Sequence, residues 1–365
     1  MNGIHHPKSD VDRLYLPRQE GGRGLVQIEN SYKISTVGLE KYLREKDDQF
    51  LKAVLRHENA KKKYSIVKQA RKFMNGVQIN EERDNINEVT DNIRKYKKQL
   101  KHHFMVKMKE TWEEKPLHGQ YPKRLEKADT DKEATNKWLK SSGLKGETEG
   151  FIIAAQDQSL PTKLYHHQII KDGSDPKCRL CNAYNESVDH LISGCPVLAK
   201  KEYIERHNAV AGYVHWNLCK HYNMETKLNW YEHNPLTVVD NQQATILWDM
   251  PIHTDREISA NRPDIIVKDK SEQKCYLIDI SVPNDQNVGV KELEKRSKYK
   301  DLEIEISRMW GMKVVNVPVI IGALGLVKKG MEKNIKNLPG TIRIEQCQKT
   351  VLLKTAHILR KALSL

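Results

Sequence analysis

Four side chains inside one window of eighteen residues constrain this chain more than any other feature. The segment DPKCRLCNAYNESVDHLISGCPVL carries Cys178-x2-Cys181-x8-His190-x4-Cys195. Zinc takes four soft or borderline ligands in a tetrahedron. A C-x2-C turn supplies two thiolates, and a His and a Cys on a following short helix supply the other two. Three of the six cysteines fall in this window. A redox C-x-x-C would have no use for the histidine and would sit in a βαβ pattern that is missing here. Cys219, Cys275 and Cys347 stand alone and read as buried thiols. The spacing of His207, Cys219 and His221 singles out no second metal site.

Six cysteines in 365 residues are too few for a disulfide scaffold. The length predicts two or three domains, because single cores rarely grow past roughly 250–300 residues. No apolar run approaches the ~20 residues of a membrane span, and the start MNGIHHPKSD lacks a signal-peptide layout, so neither a membrane protein nor secretion is expected. The net charge of +14 is uneven: residues 1–150 carry +9, residues 151–225 are neutral, and residues 226–365 carry +5. That distribution suits a polyanion such as nucleic acid.

The expected organisation is multidomain α+β: a basic, mostly helical region over 1–150, a helical segment with the Cys/His window over 151–235, and an α/β domain over 236–365. In the first, LYLPRQEGGRGL reads as short strands around a glycine turn that displays Arg18 and Arg23. Leu39, Leu43, Phe50, Val54 and Leu55 mark one helical stripe, and Ile86, Val89, Ile93, Tyr96, Leu100 and Phe104 a second. Residues 113–150 lose periodicity and read as a linker. GETEGFIIAAQDQSL reads as a helix with Thr148 as its N-cap.

The stretch NRPDIIVKDKSEQKCYLIDISVPND holds two β-rich runs joined by a polar turn. The midpoint of Asp264 and Asp279 coincides with the turn's centre, so a symmetric hairpin sets the two aspartates opposite each other, with Cβ atoms ~5 Å apart. Carboxylates that close repel unless a cation lies between them. A hard divalent ion such as Mg²⁺ fits such a pair, activating a water and neutralising a phosphodiester. The following VKELEKRSKYKDLEIEISRMW reads as one helix with Lys291, Lys295 and Lys298 along a face. A lysine from it could approach the attacked phosphate.

Pro263-Asp264, then Asp279-Ile280-Ser281, then a helix lysine, resembles the PD-(D/E)-x-K nuclease motif. Its usual lysine position is Ser281 here, a departure typical of the restriction-like endonuclease of site-specific non-LTR retrotransposons. The Cys/His window, HPKSDVDRLYLPRQEGGRGL and LKGETEGFIIAAQDQSLPT are similar to segments that follow the reverse transcriptase in those polyproteins. The resemblance spans nearly the whole chain in the family's order. It implies a CCHC zinc knuckle on Cys178, Cys181, His190 and Cys195, with structural zinc. It further implies a C-terminal nuclease core with catalytic magnesium on Asp264 and Asp279, and Lys298 as the relocated lysine with Lys295 its competitor. Arg18, Arg23 and Arg262 are the candidate phosphate contacts.

The implied activity is nicking of target DNA in the nucleus, whose 3′ end primes reverse transcription of the element's RNA. No Y/F-x-D-D polymerase box is present, since Asp47-Asp48 lies on a helical stripe, so the polymerase would be an upstream region of the same polyprotein. Two alternatives stay open: an inactive nucleic-acid-binding fragment of the same origin, or a junction-resolving recombination nuclease.

Overall fold

The computed structural model describes residues 5–77 and 89–365. They divide into two compact units, one spanning Asp10–Lys115 and the other joining Pro116–Leu365 with the residues just before Asp10. The unit limit thus falls at Lys115 rather than at 150, and no limit of this kind falls at 235.

The Asp10–Lys115 unit is helical. Its main helices are Ile28–Glu45, Gln49–Ala60, Ile66–Met74 and Val89–Glu114. The second stripe does what its spacing predicts: Leu100 packs with Val37 and Ala70, with Tyr96 and Phe104 against them. Ile86 of that stripe lies outside the described residues. The first stripe is broken, because Asp48 caps a new helix by accepting from the Leu51 N–H (2.9 Å). Leu43 is buried, while Leu39, Phe50 and Val54 face solvent.

The strands expected around LYLPRQEGGRGL are instead a helical turn, Val11–Tyr15, and a 3₁₀ turn, Arg18–Glu20. Asp10 caps the first. Arg13 lies over the Trp112 ring and donates to the Gly21 carbonyl (2.8 Å), pulling the loop inward. A Cβ at Gly22 would sit 2.1 Å from the Leu16 carbonyl oxygen, which explains that glycine.

The second unit is built on one five-stranded sheet in the order β1 (Val238–Asp240), β2 (Ala244–Trp248), β3 (Ile265–Asp269), β4 (Lys274–Ser281) and β5 (Lys313–Ile320). Neighbours are antiparallel except β4 and β5, which run parallel. The β3–β4 register pairs Ile265 with Ile278 and Asp269 with Lys274, the symmetric hairpin that the turn composition predicts.

Both faces of the sheet are covered. Ile265, Val267, Ile278 and Val317 pack on the Glu202–His221 helix through Val210, Val214 and Leu218, together with Cys347 and Val351 of the Ile344–Leu363 helix. Ile266, Cys275 and Leu277 pack on Tyr299, Leu302 and Ile306. Strands buried on both sides lose the apolar–polar alternation of a half-exposed sheet, hence the continuous apolar runs.

The parallel step from β4 to β5 needs a crossover. It comprises two helices, Val288–Lys298 and Lys300–Trp310, rather than the single helix expected, because the buried Tyr299 interrupts them. Residues 116–150 are not a linker either. They form short helices whose Trp138 and Leu139 are buried with Ile152, Ile153, Leu352 and Ala356. Thr148 is not a cap, since it lies inside the helix Gly146–Gln156. No described helix is long and apolar enough to cross a membrane.

Candidate functional site

Two of the side-chain clusters in the sheet-bearing unit are those that the sequence singles out. The first is the Cys/His window. A bridge between Lys177 and Asn185 closes a tight turn, and Asn182 takes a left-handed φ of 54° so that its N–H reaches the Cys178 carbonyl (2.9 Å). Ser187 caps the helix Val188–Ser193, accepting from the His190 N–H (3.0 Å), and this aims the imidazole back at the turn. Cys195 follows, its N–H donating to the Tyr203 hydroxyl (3.1 Å).

The ligand atoms of Cys178, Cys181, His190 and Cys195 lie within 4.8 Å of one another, and Cys181 Sγ is 3.5 Å from His190 Nε2. A tetrahedral zinc with ordinary bond lengths spreads its ligand atoms to about 3.3–3.8 Å. Three thiols and an imidazole converging this closely form a donor set that could hold zinc. Burial pushes the Cys178 thiol up to about 11, a penalty that a bound cation reverses. The turn is held from outside by the buried Glu186, which accepts from the Arg179 guanidinium (2.9 and 3.0 Å) and the Lys163 N–H (2.9 Å).

The second cluster sits at the end of the β3–β4 hairpin. Asp264 accepts from the Ile280 N–H at 2.6 Å, which ties the residue before β3 to the end of β4. Asp279 is 1 % exposed. Lys295 reaches its Oδ2 at 2.7 Å, and Lys298 stands 3.9 Å from Oδ1. Lys298 also donates to the Tyr299 hydroxyl (2.8 Å), which in turn donates to Asp279 Oδ1 (2.7 Å). Burial and the Asp279 charge push the Tyr299 hydroxyl far above its ordinary range, so it keeps the proton it donates. Of the two competing lysines, Lys295 makes the direct ion pair and Lys298 acts mainly through Tyr299. Lys291 pairs with Glu294 (2.7 Å).

His207 is the member of this cluster that sequence reasoning missed. It arrives from the helix on the opposite face of the sheet, and its Nε2 lies 3.0 Å from Asp264 Oδ2 and 3.1 Å from the Ile280 carbonyl. Burial alone would lower this imidazole, but the Asp264 carboxylate, with help from Asn208 and Asp279, pushes it up to about 9. A cationic ring therefore sits between a carboxylate and a carbonyl oxygen. No local pattern around His207 announces this, because its partners are 57 and 73 residues away.

A cleft of about 410 Å³ opens beside His207, lined by Ser193, Tyr203, Arg206, Ser281, Asn284 and Lys291 among others. Arg206 joins its walls, donating to the carbonyls of Ile192 (2.8 Å) and Val282 (3.2 Å) and to Thr355 Oγ1 (3.0 Å).

The arginines expected at phosphates fare differently. Arg262 is exposed and pairs with Asp249 (2.8 Å). Arg18 stands in the 3₁₀ turn of the helical unit. Arg23 is 6 % exposed, so its guanidinium is not displayed to a ligand. No protein-family model matches this chain, and no curated protein matches it significantly.

Proposed function

We propose that the chain is a metal-dependent DNA endonuclease fragment derived from a site-specific non-LTR retrotransposon, with a zinc knuckle ahead of a restriction-like nuclease core. The observation that carries this reading is the meeting of Asp264, Asp279 and Lys295 at the open end of one hairpin, whose strand β4 pairs parallel with β5. Asp264, Asp279 and the Ile280 carbonyl are hard oxygen donors of the kind magnesium takes. An ion held by them would supply an activated water and neutralise charge on the phosphodiester.

The chain's own groups do the rest. Lys295 places a cation within 2.7 Å of Asp279, where it can meet the charge that develops on a phosphorane. Tyr299 fixes the orientation of the Asp279 carboxylate through its 2.7 Å hydrogen bond, and Lys298 orients Tyr299. The cleft beside His207 is lined by Ser193, two residues before Cys195, and by Ser281, two residues after Asp279, which supports a DNA backbone held at the knuckle and cut at the hairpin. Target DNA, the element's RNA and an upstream polymerase region are the partners of this reading, and the nucleus is its setting.

Nicking of supercoiled plasmid with Mg²⁺ tests it. The wild type is expected to nick, and Asp264→Ala and Asp279→Ala to abolish nicking while DNA binding persists. Binding without nicking in the wild type would instead favour an inactive binding fragment. Nicking unchanged in both variants would sink the site assignment.

A further inference from the structure

The buried end of the Glu202–His221 helix holds a third cluster. His215 and Cys219 are four residues apart and so share one helix face. Both are fully buried. His233 comes to meet them from the 3₁₀ turn Trp230–Glu232, which is held by Trp230 packing edge-on against Tyr213 (5.4 Å). His215 Nδ1 lies 2.8 Å from His233 Nε2 and 3.5 Å from Cys219 Sγ. One ligand atom from each of the three falls within 4.8 Å of the others. Trp248 of β2 stands perpendicular to the His215 ring at 5.6 Å and walls the cluster on the sheet side.

Two imidazoles facing nitrogen to nitrogen satisfy each other with a single hydrogen bond, which leaves the buried thiol only a weak contact. One borderline cation would satisfy all three donors. The 3.5 Å sulfur–nitrogen edge matches the roughly 3.3–3.8 Å of a tetrahedral zinc site. The 2.8 Å nitrogen–nitrogen edge is shorter, and His233 is the half-buried member, on a short turn that can withdraw by the needed few tenths of an ångström.

We propose that His215 Nδ1, Cys219 Sγ and His233 Nε2 form a second zinc site, with water at the fourth position on the His233 side. On binding, the Cys219 thiol releases its proton to solvent and the sulfur's electron pair goes to the metal. The site would pin the loop before β1 to the Glu202–His221 helix. His207 lies on the same helix two turns earlier, about 12 Å along the axis. The ion would therefore hold the helix that delivers His207 to Asp264. This inference does not depend on the nuclease reading.

Metal content of the purified full-length chain is the test, with zinc as the probe and cobalt(II) as its spectroscopic substitute. Two equivalents of zinc are expected in the wild type. His233→Gln, which alters a half-exposed side chain, should remove one equivalent. It should also reduce the cobalt absorption by the share of a site with one thiolate, leaving the three-thiolate share intact. Cys219→Ala should do the same, and Cys178→Ser should remove the other equivalent. Loss of zinc in His233→Gln supports the site even if the wild type holds only one equivalent. Zinc content and cobalt spectrum unchanged in His233→Gln would overturn it.

Discussion

The Cys/His window and the acid pair both gather titratable side chains, yet they meet the problem of burying them in opposite ways. At the window, Cys178, Cys181, His190 and Cys195 converge with no cationic side chain between them, and the main chain is bent to aim them. At the hairpin, each carboxylate already has a cation: His207 for Asp264, and Lys295 with Lys298 for Asp279. The first cluster could be completed by an ion. The second has its carboxylates paired by side chains of the chain itself. On the reading proposed above, the first preparation would suit a structural ion and the second an exchangeable one.

Removing zinc with a strong chelator, or substituting Cys178→Ser, should break the contrast most severely. Hydrogen-exchange protection across residues 176–199 is expected to fall by about 5 kcal/mol or more. Withdrawing magnesium should leave protection around Asp279 within about 1 kcal/mol of its starting value. Equal losses at both clusters would erase the distinction.

The lysines sharpen it next. Lys295→Met should lower the nicking rate about 100-fold, and Lys298→Met about 10-fold, because the second acts through Tyr299. Lys298→Met added to Tyr299→Phe should then change little beyond Tyr299→Phe alone. A larger effect at Lys298 than at Lys295 would reverse the assignment.

His207 gives the contrast a pH signature in magnesium-free protein. Its folded-state pKa, about 9, is raised above the ordinary 6.5 of a histidine, so its stabilising contribution is complete below about pH 6.5 and is lost as pH rises through about 9. The loss should be on the order of 2 kcal/mol in denaturant titrations and absent in His207→Gln. The smallest effect belongs to Arg262. Its pair with Asp249 is half-exposed, so Arg262→Ala should change stability by less than about 0.5 kcal/mol. If Arg262 meets DNA phosphate, the salt slope of binding should still fall by about one unit.

How much could be read from the sequence follows the range of the interactions involved. The hairpin register was legible because the turn and both aspartates lie within sixteen residues, Asp264 to Asp279, and symmetry fixes the pairing. The ligand window was legible for the same reason. His207 was not, since only the packing of a helix on the far face of the sheet brings it to Asp264. Residues 113–150 looked like a linker because their apolar residues are sparse and aperiodic. Trp138 nonetheless packs on Leu352, more than two hundred residues away. The break at Tyr299 was hidden because the helical period continues across it, and a buried hydroxyl seeking Asp279 decides where the helix stops. Arg23 misled in the opposite sense, since a polar loop draws it inward.

The Arg206 guanidinium has a consequence for how the chain reaches this state. Its partners are 14, 76 and 149 residues distant in sequence. Until all three segments are in place, taking this group out of water leaves donors unpaired, an unfavourable step of a few kcal/mol. The last wall of the cleft therefore closes only after the C-terminal helix has docked, because Thr355 belongs to that helix. Loop closure over such separations is slow. The cleft beside His207 should be among the latest parts of the molecule to form during folding, and a nascent chain still lacking the Ile344–Leu363 segment would carry its β3–β4 hairpin beside an unfinished groove.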